Sequence, residues 1–313
     1  MVAVLGVVGP VFVVIALGWA AARWGFVDAA GFRGLNGFTF LLAAPALLFL
    51  GGTTGPRGGG AAALAFFLGT AAVYAGVLLA ARRGRWRGTR MPLGPAGMLA
   101  LDATYGNTVM MGIPLVTAAF GNQALAVLLA ILALHSMLLL GAATVVAEIG
   151  LHAHAPWRRV LRATLLGIGR NPVVMAVVAA LLWRLLGLPA PAGAARLTLE
   201  MLGAAVPPVA LFCLGGSLVA LRPGAAWRET AAACTLKLLV QPAAVWLVAL
   251  ALALPPMETA VTVLVAAMPT GANAYLLAQR YAIGAERSGA TVLVSTVLSV
   301  LTLSLLLGWF GAG

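Results

Sequence analysis

Residues 105–114 read YGNTVMMGIP and lie inside a long apolar stretch that runs from Met98 to Leu140. Glycine and proline both disfavour a regular helix, because glycine is conformationally permissive and proline lacks the amide donor of the backbone. A second segment, AAMPTGANAYLLAQRY at 266–281, has the same mixture of proline, glycine and asparagine. The two segments therefore predict two long helices that are interrupted near their middle.

The composition places these helices in a membrane. Of the 313 residues, 63% are hydrophobic and 8% are charged, and the mean hydropathy is +1.07. A soluble domain has about 25% charged residues. The apolar segments are long and do not alternate with polar residues, which favours transmembrane helices over a barrel. The net charge of +12 comes from basic residues between these segments, so we predict contact with membrane lipid and no binding of nucleic acid.

The pattern predicts an all-α integral membrane protein with ten spans. Each apolar segment is long enough to cross a hydrocarbon core of about 30 Å at 1.5 Å per residue. The N-terminal segment has no basic residue before its apolar run and is interpreted as a retained span. The ten spans are 3–22, 34–51, 60–81, 94–120, 122–148, 171–188, 197–220, 227–253, 257–280 and 286–309.

The arginines predict the orientation of the spans. Fifteen of the eighteen fall in one set of loops, and the opposite set contains Arg57, Arg184 and Arg196. Basic loops face the cytoplasm. We therefore expect both termini outside the cytoplasm, in a multi-pass protein of the cell membrane. The segment APWRRVLRATLLGIGR, at 155–170, is expected to lie on the cytoplasmic surface.

The chain divides into two halves of five spans, residues 1–150 and 151–313. Because five is odd, the second half enters the membrane from the opposite side, which predicts inverted repeats as in many transporters. PALLF at 45–49 matches PVALF at 208–212, and the PV pair at Pro10 matches the one at Pro172. The two offsets, 163 and 162 residues, are nearly equal.

The interruptions of spans 4 and 9 are the predicted functional site. We expect Gly112, Pro114, Pro269 and Gly271 to break the helices. Half-helix N-termini offer free amide groups and partial positive charge, which suit an anion. Two structural proline kinks remain the alternative.

Polar side chains near the interruptions are the candidates for substrate binding. Asparagine amides can bind a carboxylate or satisfy carbonyl groups freed by a break, and both roles stay open. The only lysine lies deep in span 8, where it can pair with Asp102 or attract an anionic substrate. The two cysteines, Cys213 and Cys234, lie inside spans, so no disulfide or metal site is expected. The candidates are Asn107, Thr108, His135, Lys237, Gln241, Thr270 and Asn273.

Four stretches resemble the auxin efflux carrier family, in its bacterial, malate/malonate permease-like form. They are LNGFTFLLAAPALLF (35–49), GNTVMMGIPL (106–115), PPVALFCLGGSLV (207–219) and ERSGATVLVSTVLSVLTL (286–303). The resemblance implies a scaffold of spans 1, 2, 6 and 7 and a mobile unit of spans 3–5 and 8–10. It also implies elevator-type movement, a homodimer and small carboxylates as substrates. The family lies within a superfamily that includes sodium-coupled bile acid carriers.

The sequence therefore predicts a secondary transporter of small organic anions in a bacterial inner membrane. A sodium-coupled, bile-acid-like symporter is the first alternative. A membrane-embedded lipid or isoprenoid enzyme is a second, although the seven acidic residues are scattered singly. We expect no enzyme activity and no cofactor. The sequence leaves open the substrate, the direction of transport and coupling to protons or sodium.

Overall fold

A computed structural model describes residues 2–54, 59–84, 90–151, 172–219 and 226–310. These residues form helices and one isolated β-bridge, with no strand among them. Six described segments are long and apolar enough to cross a membrane: Ala29–Thr54, Gly60–Arg82, Asn122–Gly150, Gly193–Leu218, Trp227–Ala251 and Ala285–Trp309. Three shorter apolar helices are Gly9–Arg23, Thr108–Phe120 and Pro256–Ala266. The all-helical membrane class predicted from the sequence is confirmed.

Several predicted spans consist of two helices in series. The helices are α1 (Val2–Arg23), α2 (Ala29–Phe38), α3 (Ala44–Thr54), α4 (Gly60–Arg82), α5 (Leu93–Asp102), α6 (Ile113–Phe120), α7 (Leu125–Leu151), α8 (Pro172–Leu185), α9 (Gly193–Ala204), α10 (Val206–Leu218), α11 (Trp227–Thr235), α12 (Gln241–Ala251), α13 (Pro256–Ala266), α14 (Ala272–Tyr281) and α15 (Ala285–Trp309). The surface segment expected at 155–170 and the arginines at 57, 85 and 87 lie outside the described residues.

Three π turns occur among the described residues, and each is followed two positions later by a proline. Two of them join consecutive helices directly, whereas the one at Thr108–Gly112 follows the interruption and leads into α6. The turns are Thr39–Ala43, Thr108–Gly112 and Leu236–Val240, and the prolines are Pro45, Pro114 and Pro242. A proline ring clashes with the carbonyl group four residues earlier and lacks the donor for it. The wider π turn relieves that conflict and lets the chain continue as a helix.

This pattern corrects one sequence prediction. Gly112 and Pro114 were expected to break span 4, but Gly112 ends the π turn and Pro114 lies in the first turn of α6. The interruption comes earlier, at residues 103–107. In span 9 the expected residues, Pro269 and Gly271, do lie within the interruption, at 267–271.

Helices α1 and α10 approach each other through glycines. A Cβ atom on Gly18 would collide with the backbone of Phe212, and one on Gly215 would collide with the backbone of Ile15. Small residues allow membrane helices to pack with their backbones close together. Helix α3 packs on α8 and α9 beside this pair. The first packed group therefore consists of α1, α3, α8, α9 and α10.

A second group contains the interrupted helices. Helix α4 packs on α12 and α5, α5 packs on α7, and α15 packs on α11 and α14. A Cβ atom on Gly69 of α4 would lie 2.7 Å from the Cα atom of Val245 in α12, so these helices are also in close contact. The interruptions at 103–107 and 267–271 meet inside this second group.

Candidate functional site

The two interrupted helices cross at their interruptions. Helix α5 ends at Asp102 and helical structure resumes at Thr108, while α13 ends at Ala266 and α14 begins at Ala272. Within the gaps, Gly106 and Thr270 form an antiparallel bridge. The non-helical backbone of each chain segment therefore lies against that of the other.

Backbone hydrogen bonds hold the crossing together. The amide group of Asn107 donates to the carbonyl oxygen of Pro269 over 2.8 Å, and that of Gly271 donates to the carbonyl oxygen of Tyr105 over 3.0 Å. A Cβ atom on Gly271 would lie 2.8 Å from Cε1 of Tyr105, so the approach requires a glycine. Inside a bilayer such groups have no water as an alternative partner. At the crossing, each interrupted segment therefore supplies a hydrogen-bond partner for the backbone of the other.

The N-terminal ends of both second half-helices lack a side-chain cap. Asn107 precedes the π turn and Gly271 precedes α14, and at neither helix start does an amide group donate a hydrogen bond to a capping side chain. The Nδ2 atom of Asn107 is buried and has no hydrogen-bond partner among the described residues. The partial positive charge of two helix starts and an open amide donor thus come together at one point.

His135 packs against the crossing from α7. Its ring lies 4.7 Å from that of Tyr105 and 5.8 Å from that of Phe66, measured between centroids. The amide group of Gly106 donates to Nε2 over 3.4 Å, which leaves the ring proton on Nδ1, where Thr108 Oγ1 lies 3.4 Å away. His135 and Thr108 therefore both lie at the crossing, and their side chains hydrogen-bond to each other.

Thr270 and Asn273 are held by protein groups. The amide group of Thr270 donates to Ser295 Oγ over 3.0 Å, and its hydroxyl group donates to the carbonyl oxygen of Asp102 over 2.8 Å. Asn273 Nδ2 donates to the Tyr105 hydroxyl group over 3.0 Å, and that hydroxyl group also contacts Ser136 Oγ at 3.0 Å. Thr270 is fully buried, whereas Asn273 is exposed.

Lys237 and Gln241 contact the ends of the first half-helices. Lys237 is fully buried, and its Nζ donates over 2.6 Å to the carbonyl oxygen of Ala266, the last residue of α13. Gln241 Nε2 donates over 3.0 Å to the carbonyl oxygen of Thr104 and over 3.0 Å to Thr70 Oγ1. Both residues thus lie at the crossing.

The proposed pair of Asp102 with Lys237 is not present. The Asp102 carboxylate accepts hydrogen bonds from Arg287 Nε, at 3.0 Å, and from the Ser288 hydroxyl group. Arg287 also bonds Glu229 through Nη1, at 3.2 Å. All three charged side chains are at least nine-tenths buried, and they tie α5, α11 and α15 together.

Sequence reasoning missed this buried cluster, because it counted Arg287 among the loop arginines. The signal that could have revealed it is Asp102, an isolated acid deep in an apolar span that needs a cationic partner. Tyr105, which supports both Asn273 and His135, was also missed, although it lies within the interrupted segment itself.

A cavity of about 540 Å³ lies between the two packed groups. It is lined by residues of α3, α6, the start of span 5, α9 and α10, and Ile113, directly after the π turn, is one of them. Its polar residues are Thr54, Thr117, Asn122, Gln123, Arg196 and Glu200. Within the part of the chain that the structure describes, no group of three or more metal-ligating side chains is present.

Apolar spans, helices interrupted at mid-length and an open amide donor where they cross define a multi-pass membrane transport protein. A family model described as "Membrane transport protein" matches residues 3–307, and the chain belongs to this family, the auxin efflux carrier family. The chain is 30% identical over 317 residues to a protein of Rhizobium meliloti (strain 1021) named "Putative malonate transporter". That alignment covers 98% of this chain and 96% of the relative.

Proposed function

We propose that the protein is a secondary transporter that carries small organic carboxylates and binds them at the crossed interruptions. The observation that carries this proposal is the Nδ2 group of Asn107, a buried donor without a hydrogen-bond partner in the described ranges, beside two uncapped helix starts. A carboxylate is an acceptor with two oxygens and would satisfy that donor together with the free amide groups. Lys237 adds positive charge to the same region.

A dicarboxylate is the substrate class that we favour. The relative's name refers to malonate, a compact molecule with two carboxylate groups. Two half-helix starts at the crossing offer one anion-binding end for each carboxylate. Thr108 and His135 line one side of this position. The cavity, which Ile113 lines in part, supports an access route between the two packed groups.

We further propose ten spans in two inverted repeats and movement of the elevator type. The bridge between Gly106 and Thr270 joins positions 164 residues apart, close to the offsets of 162 and 163 in the sequence matches. Helices α5 and α13, which precede the interruptions, both begin directly after a proline, Pro92 and Pro255. The second packed group would slide against the first, which would act as the scaffold of a homodimer in the bacterial inner membrane.

Transport assays in liposomes test the proposal. Purified protein is reconstituted, and uptake of labelled malonate, malate and an uncharged control such as glycerol is measured with and without the unlabelled compound inside. A transporter gives saturable dicarboxylate uptake that internal substrate stimulates, and a double variant Asn107→Ala/Asn273→Ala loses it. Equal uptake by the wild type and this variant would contradict the assigned roles.

A further inference from the structure

The cavity between the two packed groups has polar walls of its own, separate from the crossing. Its volume of about 540 Å³ lies within the range of about 300–1,000 Å³ that is usual for small-molecule sites. One wall comes from α3 and α9 of the first packed group, and the other comes from α6 and the start of span 5. A ligand in this cavity therefore contacts both sides of the boundary between the groups.

Free hydrogen-bond donors lie on both walls of the cavity. On α9, Arg196 donates through Nε to Glu200 Oε1 over 2.7 Å, and within the described ranges its two Nη atoms make no hydrogen bond. On the opposite wall, the side-chain amides of Asn122 and Gln123 are exposed and likewise have no hydrogen-bond partner among the described residues. A guanidinium group thus lies on one wall and two amide groups lie on the other.

The two threonines in the cavity offer no further donor. The hydroxyl group of Thr54 donates to the carbonyl oxygen of Leu50 over 2.8 Å, and that of Thr117 donates to the carbonyl oxygen of Ile113, also over 2.8 Å. Behind the α3 wall, Nη1 of Arg184 donates to the carbonyl oxygen of Gly52 over 3.2 Å, which brings a second cation close to the cavity. The donors and the positive charge both suit an anionic ligand.

We propose that this cavity is a second binding site for a small dicarboxylate. One carboxylate binds the Nη atoms of Arg196, because a guanidinium group matches a carboxylate with two parallel hydrogen bonds. The other carboxylate binds the amides of Asn122 and Gln123 on the facing wall. A bound dicarboxylate therefore links the two packed groups. The identity of the ligand rests on the proposed function, whereas the presence of an anion site rests on the cavity alone.

A cysteine in the cavity reports binding without any transport. Thr54 lines the cavity and is exposed, and both native cysteines are buried, so Thr54→Cys can be labelled selectively. The rate of its reaction with a maleimide is measured in detergent at increasing malonate concentration. Ala190→Cys, at an exposed position outside the cavity, is the control. Malonate should slow labelling at position 54 only, and acetate, with one carboxylate, should require about a tenfold higher concentration.

Two charge variants in the Thr54→Cys background separate anion binding from disturbance of the ion pair. Arg196→Gln and Glu200→Gln both break the pair. Arg196→Gln removes the cation and should raise the malonate concentration for half-protection about tenfold or more. Glu200→Gln removes a competing acid, frees Nε and should lower that concentration. Arg83→Gln, outside the cavity, should leave it unchanged. A shift in the same direction for both variants of the pair would overturn the proposal.

Asn107→Ala in the same background separates this site from the crossing. The substitution removes the donor proposed for the substrate at the crossing, yet malonate should still protect position 54. Protection without malonate uptake in liposomes would sink the transport function and leave the cavity site standing. Uptake without protection, or protection that Asn107→Ala abolishes, would overturn the cavity site alone. If phosphatidylglycerol slows the labelling and malonate does not, the cavity binds a lipid headgroup and the proposal is wrong.

Discussion

Gly106 and Thr270 face each other as an antiparallel bridge where two interrupted helices cross. Breaking a helix inside a bilayer exposes backbone groups that lipid cannot satisfy. Here each broken segment satisfies the other, because Asn107 donates to Pro269 and Gly271 donates to Tyr105. Neither interruption is stable without its partner, so a change in one segment should disturb both.

The close approach at Gly271 gives the first prediction. A Cβ atom at this position would lie 2.8 Å from Cε1 of Tyr105 and 3.0 Å from the carbonyl oxygen of Gly106. Both neighbours are held by the crossing and cannot move aside. We expect Gly271→Ala to reduce the free energy of unfolding by about 1–3 kcal/mol and to abolish uptake, measured by thermal unfolding in detergent and by transport in liposomes.

Gly76 provides the matched control for this substitution. It lies on an exposed face of α4, and a Cβ atom there would meet nothing within 4 Å. Alanine should therefore preserve uptake and stabilise the helix by up to about 1 kcal/mol. Normal stability and uptake in Gly271→Ala would mean that the two segments do not meet as closely as the bridge requires.

The second prediction separates substrate binding from stability at Asn107. Its Nδ2 group has no hydrogen-bond partner in the part of the chain that the structure describes, so Asn107→Ala removes no hydrogen bond of this group there. Loss of a hydrogen bond to a charged substrate costs about 1.5–3 kcal/mol, or about a ten- to hundredfold rise in KM. Uptake rates over a range of malonate concentrations measure the effect, and the melting temperature should not change.

Asn273→Ala is the comparison for this measurement. Its amide group donates to the Tyr105 hydroxyl group, so its loss should cost about 1 kcal/mol of stability. We expect a smaller effect on KM than for Asn107→Ala. The opposite result, an unstable Asn107→Ala with unchanged KM, would assign Asn107 a structural role.

The third prediction concerns the buried cluster around Arg287. This side chain bonds both Asp102 and Glu229, and all three are buried. Removing one partner of a buried ion pair costs about 3–5 kcal/mol, because a charge is left uncompensated. Arg287→Met should therefore lower the melting temperature strongly. The measurement is thermal unfolding in detergent, with the wild type alongside.

The exposed pair of Arg196 and Glu200 is the control for charge removal. These side chains are 58% and 41% exposed and lie 2.7 Å apart on α9. An exposed pair contributes at most about 1 kcal/mol, so Arg196→Met should barely change the melting temperature. Equal losses in the two variants would mean that the Arg287 cluster does not act as a buried network.

The helical membrane class and the two interrupted segments were predictable from the sequence. Glycine, asparagine and proline inside apolar stretches can only be tolerated there if the freed backbone finds partners. The position of the first break was not predictable from Pro114. That proline is accommodated by the π turn before it, and the chain leaves the helix near Ala103 instead.

The partners of the charged residues were less predictable. Lys237 and Gln241 lie at the crossing, and counting along span 8 gives their depth in the membrane. The partner of Asp102 was wrong, because an arginine near a helix start can point to solvent or inward. For Arg287 the direction is set by contacts with α5 and α11, which are distant in sequence.

The fourth prediction tests the orientation in the membrane, which rests on the arginine distribution. The chain has two cysteines, Cys213 and Cys234, and both are buried, so single added cysteines can be labelled selectively. Ala190, between α8 and α9, and Arg83, after α4, are both exposed. A membrane-impermeant maleimide added to intact cells should label Ala190→Cys, and it should label Arg83→Cys only after the membrane is opened.

The expected labelling pattern follows from the distribution of the arginines, which sets the orientation of the spans. Basic loops are retained in the cytoplasm, and the predicted topology assigns fifteen of the eighteen arginines to the side of Arg83. Replacing Arg83 leaves this bias nearly unchanged, so the substitution should not reverse the protein. If Arg83→Cys is labelled in intact cells and Ala190→Cys is protected, the protein has the opposite orientation in the membrane. The cavity between the two packed groups would then open towards the cytoplasm, and substrate would enter it from inside the cell.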